Sequence, residues 1–135
     1  MKSISLQAKI ENLEEVVDFI TTELKATECS MKLQNQIILA TEEVFTNIAR
    51  YAYSPNIGNV EIRITTNDEV IIGFEDNGKP YNPLENIDPD ITLDADERDV
   101  GGLGIFLVKK IMDSVEYHRV DNKNLLIIRK KISKL

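Results

Sequence analysis

The chain has 135 residues, with 16 Lys plus Arg against 23 Asp plus Glu and a formal net charge of −7 when the lone His118 is neutral. That length suits one domain spanning 1–135, and 42% apolar with 29% charged residues is the balance of a folded domain rather than of a disordered chain. One cysteine, Cys29, excludes an intramolecular disulfide, and one cysteine with one histidine excludes a zinc-ligand set.

In chain order, Ile4, Leu6, Ala8 and Ile10 alternate with polar residues and predict a half-buried strand over about 3–10. Asn12 and Glu15 have the spacing of a capping box, and Leu13, Val16, Val17, Ile20 and Leu24 then predict a helix to about Ala26. Ser30 is placed to cap a second helix, whose Leu33, Ile37, Ala40, Thr41, Val44, Ile48 and Ala52 keep one face apolar until Ser54-Pro55. Val60, Ile62 and Ile64, a turn at Asn67-Asp68, and the apolar run Val70 to Phe74 predict a hairpin with a well-buried second strand. Pattern is then lost for about two dozen residues until Gly101-Gly102-Leu103-Gly104; structureless loops beyond ~15 residues are uncommon, so about 79–100 reads as a lid. Ile105, Val108, Ile111 and Met112 predict a third helix, and Val115, Tyr117 and Leu125 to Ile128 a closing hairpin around Asp121-Asn122-Lys123-Asn124. The order predicts an α+β, two-layer sandwich: three helices over one face of a mostly antiparallel mixed sheet.

The acid is concentrated. Seven acids and one base, Arg98, lie between Glu85 and Asp99, which leaves the rest of the chain nearly neutral. That balance argues against nucleic-acid binding, which needs clustered Lys and Arg. The polar start MKSISLQAKIENLEE, with no apolar run near the ~20 residues of a membrane span, points to a cytoplasmic protein without a membrane partner.

Three segments carry chemistry. Glu43 and Asn47 are four apart on the second helix and share a face, with Arg50 a turn further on. Asp76 ends the buried strand with Gly78 two residues later, so a carboxylate able to accept from an exocyclic amine sits beside a residue that lets backbone approach a flat ring. Gly101 to Gly104 open the third helix, where free N–H groups and the positive end of the helix dipole suit oxyanions. Taken singly, each has an ordinary structural reading: helix edge, turn and hinge.

Together, EEVFTNIARYAY, EDNGKPYNP and GGLGIFLVKKIMD resemble the N, G1 and G2 boxes of the GHKL ATP-binding superfamily. The phrase DNGKPYNP, the ending GGLGIFLVKKIMDSVEY and the short length are similar to the bacterial anti-sigma-factor serine/threonine kinases. The resemblance spans essentially the whole chain and implies the Bergerat-type ATP-binding fold. It makes Glu43 the base for an attacking hydroxyl, Asn47 the Mg²⁺ ligand, and Arg50 a phosphate contact. Asp76 would receive the adenine amine, with Gly78 beneath the ring. Gly101, Gly102, Leu103 and Gly104 would cradle the phosphates, with Arg98 near the terminal one. Two departures stand out: Lys79-Pro80 replaces the second G1 glycine, and Arg98 is a residue or two out of register.

The resemblance implies ATP and Mg²⁺ as cofactors, a STAS-domain anti-anti-sigma protein as phosphoacceptor, and a sigma factor as second partner. It also implies a homodimer through the outer sheet face or the first helix. The lid's acidic charge is unfavourable beside a triphosphate unless Mg²⁺, Arg50 or Arg98 offsets it, which predicts that the lid orders when ATP or a partner arrives. A module that binds ATP and sequesters a partner without transfer is the alternative; Glu43 favours the enzyme.

Overall fold

The computed structural model describes residues 1–53, 56–85 and 100–132, with the backbone alone for 100–103. Strands β1 (Lys2–Gln7), β2 (Asn59–Thr66), β3 (Glu69–Asp76), β4 (Ser114–Val120) and β5 (Lys123–Lys131) form one sheet in the order β1-β2-β3-β5-β4. Helices α1 (Leu13–Lys25), α2 (Met31–Tyr51) and α3 (Val100–Ile111) accompany it. All four strand pairings are antiparallel, so the sheet is not mixed as the sequence suggested. After α3 the chain re-enters the sheet at its edge with β4, and β5 folds back between β4 and β3.

Alternation decides which side chains face the helices. Val70, Ile72 and Phe74 of β3 are buried with Ile71 and Gly73 between them on the more open face. The same period carries Asp76 inward at the end of the strand. In β5 the inward row is Asn124, Leu126 and Ile128. Cross-strand register sets Val60, Asp76 and Asn124 side by side, followed by Ile62, Phe74 and Leu126, then Ile64, Ile72 and Ile128. Two rows are apolar core; the row at the end of the sheet is polar at two of its three places.

Against these rows α1 buries Val16, Ile20 and Leu24, one side chain per turn. The buried set of α2 runs from Ile37 through Ala40, Val44 and Phe45 to Ile48 and includes Asn47. Ile105, Val108 and Met112 close the core from α3 and just beyond it. Ser30 caps α2 as its type predicts, its Oγ accepting from the Leu33 N–H at 3.2 Å. Asn12 does not cap α1. A single 3₁₀ turn, Ile10–Asn12, precedes that helix, β1 stops at Gln7, and the Asn12 amide donates back to the Gln7 carbonyl at 2.9 Å.

The closing hairpin is tighter than the sequence suggested. Only Asp121 and Asn122 form the turn, with φ of 53° and 63°, the left-handed pair a two-residue hairpin needs. Lys123 and Asn124 belong to β5.

Candidate functional site

A cleft opens between α2, the ends of β3 and β5, and the segment after β3. Its walls are apolar at Val44, Ile48 and Leu126 and aromatic at Tyr81 and Tyr117. Its polar groups are few: Asn47, Asp76 and Asn124, each at most 8% exposed. An apolar slot with a few convergent polar groups is the form of a small-molecule site.

At one end every polar group is held. Asp76 Oδ1 accepts from the Gly78 N–H and from Asn124 Nδ2, both at 2.9 Å. Asn124 Nδ2 also donates to the Lys79 carbonyl at 2.8 Å, and its Oδ1 accepts from the Tyr117 hydroxyl at 2.5 Å and from Arg119 at 3.1 Å. Arg119 donates in addition to the Gly78 carbonyl at 2.9 Å. Burial pushes the Asp76 carboxyl above the ordinary aspartate range, opposed by its bonds from Asn124 and Gly78 and by the nearby Arg119 charge.

The loop after β3 is fixed to the end of α2. Lys79 N–H donates to the Ala52 carbonyl at 3.0 Å. Tyr53 Oη accepts from the Asn77 N–H at 2.7 Å and donates to the Asn59 carbonyl at 2.6 Å. Gly78 lies so close to the Ala52 carbonyl that a Cβ would overlap it, and the obstruction is backbone. Tyr51 and Tyr81 stack with centroids 5.5 Å apart. Asp76 and the far end of α2 are thereby one unit.

At the other end the groups are not saturated. Asn47 Oδ1 is buried and has no hydrogen-bond partner among the described residues. A buried acceptor in that state costs about 1–3 kcal/mol, so such groups in folded proteins are met by a water, an ion or a ligand. Among the described residues no cluster of His, Cys, Asp and Glu could hold a metal alone. The amide oxygen of a residue that lines the cleft nevertheless fits a hard cation that takes its other ligands from phosphates and water.

Glu43, one turn before Asn47, is half-buried. It meets Gly104 of α3: a Cβ on Gly104 would lie 2.5 Å from Glu43 Oε2. With α3 starting at Val100, the N–H groups lacking an intrahelical acceptor are those of Val100 to Leu103. Gly104 therefore enters the site through Glu43.

Of the residues singled out from the sequence, Asn47 and Asp76 line one cleft, Gly78 is bonded to Asp76, and Glu43 packs on Gly104. Gly101, Gly102 and Leu103 form the first turn of α3. Arg50 is exposed and does not line the cleft; the guanidinium at the Asp76 end belongs to Arg119. Arg98 and most of the stretch read as a lid lie outside the described residues. His118, on β4, pairs with Glu116 at 3.3 Å, away from the cleft. The sequence reading missed Asn124, Arg119 and Tyr53. Counting back by two from Ile128 and Leu126 puts Asn124 on the buried face, a signal hidden by its place in the polar run DNKN.

The fold and this site define a GHKL-type nucleotide-binding domain, and residues 6–130 match the family model of the histidine kinase-like ATPase domain. The chain belongs to that family. It is 29% identical over 102 residues, 73% of this chain and 71% of its relative, to the serine/threonine-protein kinase BtrW of Bordetella bronchiseptica. Its fold is similar to the RsbU and RsbW domains of Rv1364c from Mycobacterium tuberculosis, with a TM-score of 0.65 at 12% identity, covering all of this chain but 34% of that one. It is also similar to the blue-light activated histidine kinase of Erythrobacter litoralis, with a TM-score of 0.58 at 16% identity over 90% of this chain and 60% of that one. No helix among the described residues is long and apolar enough to cross a membrane.

Proposed function

We propose that the chain is an ATP-dependent serine/threonine protein kinase and anti-sigma factor. On this reading it transfers the γ-phosphoryl group of ATP to a serine of a STAS-domain anti-anti-sigma protein and binds a sigma factor in a partner switch. One observation carries the nucleotide part: a single cleft holds a buried carboxylate, Asp76, and a buried amide oxygen without a partner, Asn47 Oδ1. The kinase part is supported by the name of the Bordetella relative and the partner switch by the likeness to an RsbW domain.

Asp76 accepts the adenine amine, and Gly78 lets the loop that follows it close on the Ala52 carbonyl. Asn47 Oδ1 is the ligand this chain offers Mg²⁺, which when bound offsets the triphosphate charge. Glu43 accepts the proton of the acceptor hydroxyl as its oxygen bonds to the γ-phosphorus; the bond to the bridging oxygen breaks and ADP leaves. The N–H groups of the first turn of α3, Gly101 to Leu103, face oxyanions, with Arg98 as a further cation. Gly104 gives Glu43 its room.

Incubation with γ-labelled ATP, Mg²⁺ and STAS-domain proteins encoded nearby tests the reading. Label on a serine of one of them is the expected result. Tight ATP binding with no transfer to any of them selects the non-catalytic ATP-gated module instead, and no binding of ATP at all overturns both.

A further inference from the structure

Asn124 is the buried polar side chain in the cleft to which the chemistry above gives no part. Its carboxamide is fully used: the two N–H donors go to Asp76 Oδ1 and the Lys79 carbonyl, and the oxygen receives Tyr117 and Arg119. Two acceptors face its nitrogen and two donors face its oxygen, so the orientation of the amide is fixed. A side chain with nothing left to offer a ligand acts through the groups it holds. Those groups are the carboxylate of Asp76 and, through Lys79 and Arg119, the backbone on either side of the Gly78–Lys79 peptide. Among the described residues both bonds to Asp76 fall on Oδ1, which leaves Oδ2 as the acceptor for whatever occupies the cleft.

We propose that Asn124 is the positioning residue of the base pocket: it pins Asp76 Oδ1 and the Lys79 carbonyl so that the second carboxylate oxygen meets an exocyclic amine. The site thereby selects a 6-amino purine over a 6-oxo purine. The inference rests on the reading that this cleft takes a purine nucleotide. A 6-amino group donates to the held carboxylate, whereas a 6-oxo group sets a second acceptor against it, and a pinned carboxylate cannot turn away. A site built around one hydrogen bond rejects the analogue that lacks it far more strongly than a shape-selecting pocket does.

Calorimetric titration of the full chain with Mg·ATP and with Mg·ITP tests this. The unaltered chain should prefer ATP by about 10-fold or more. Asn124→Ala should weaken ATP by about 10-fold and ITP by less than about 3-fold, bringing the two affinities together. Equal weakening of both, or an unchanged ratio, overturns the positioning role, because a merely structural loss does not distinguish the two bases. If Asn124→Ala fails to fold, Asn124→Ser decides: it keeps one hydroxyl for Asp76 but does not span to Lys79, so a narrowed ratio supports the role and an unchanged ratio overturns it. An unaltered chain that binds both nucleotides equally refutes the selectivity alone. One that binds neither refutes the nucleotide reading beneath it.

Discussion

The two ends of the cleft are built on opposite terms. Around Asp76 each of the four hydrogen-bonding positions of the Asn124 amide is taken, the following loop is tied to Ala52 and Tyr53, and the buried row of β3 and β5 supplies a stiff floor. Around Asn47 a buried oxygen lacks a partner among the described residues, and the neighbouring Glu43 carboxylate is the flexible end of a side chain resting on a glycine. The saturated end can discriminate, because its groups cannot rearrange to suit a wrong ligand. The unsaturated end can do chemistry, because it gains its missing partners only when charge arrives. On the proposed reading, binding energy is prearranged where identity is read and withheld where the reaction occurs.

Breaking the reactive end should produce the largest effect. Glu43→Gln keeps the shape against Gly104 but removes the proton acceptor, and should lower phosphoryl transfer by about 10²–10⁴-fold with nucleotide affinity little changed. Single-turnover assays beside calorimetry read both quantities; a parallel loss of affinity would place Glu43 at the nucleotide rather than at the acceptor. Gly104→Ala is next. The new methyl displaces the end of a side chain and no backbone, so the fold should tolerate it while the carboxylate swings away, and a misplacement of about 1 Å costs up to ~10²-fold in rate. If Gly104 served the phosphates alone, affinity would fall and the rate at saturation would hold.

A smaller effect sharpens the contrast because it has two signs. Asn47→Leu fills nearly the same volume and removes the orphaned acceptor, so the nucleotide-free protein should gain about 1–3 kcal/mol. The same change should abolish the Mg²⁺ dependence of ATP binding. Thermal unfolding without ligand, beside titration with and without magnesium, reads both. A destabilised variant would mean that the oxygen is already satisfied in the free protein.

Much of this was legible in the chain. The period-2 run placed β2, the apolar run Val70 to Phe74 placed β3, the helical stripe placed Glu43 and Asn47 one turn apart, and Ser30 marked the start of α2. Those features are local, and local chemistry is what sequence spacing encodes. What escaped depends on pairing across the sheet. Asn124 reaches Asp76 over 48 positions because β5, not β4, lies beside β3, and no spacing within either segment reveals that register. Arg119 was unread for the same reason: its partners, Gly78 and Asn124, come from separate strand ends. Asn12 misled because a carboxamide before a helix can either accept from the free N–H groups of the first turn or donate to a carbonyl of the preceding chain, and here it donates backward to Gln7.

The smallest predicted effect concerns protons at the saturated end. Burial raises the Asp76 carboxyl above its unfolded value, against the pull of Asn124, Gly78 and Arg119, and the Asp76 charge in turn helps to raise the Tyr53 phenol. A raised value in the folded state means that the fold binds this proton more tightly than the unfolded chain does. As pH rises from the unfolded aspartate value through the folded one, Asp76 therefore subtracts stability, and above that window the loss is constant. Nucleotide binding should run the other way, since an exocyclic amine needs the ionised acceptor: affinity should fall on acidification, starting above the pH at which an ordinary aspartate protonates. Asp76→Asn removes both trends while keeping an acceptor oxygen. Subtracting its pH profiles from those of the unaltered chain cancels the titration of the triphosphate and of every other carboxylate. The difference should slope oppositely for unfolding and for ATP affinity over the same interval. Slopes of one sign would mean that Asp76 meets its ligand as the neutral acid, donating where the proposal has it accept.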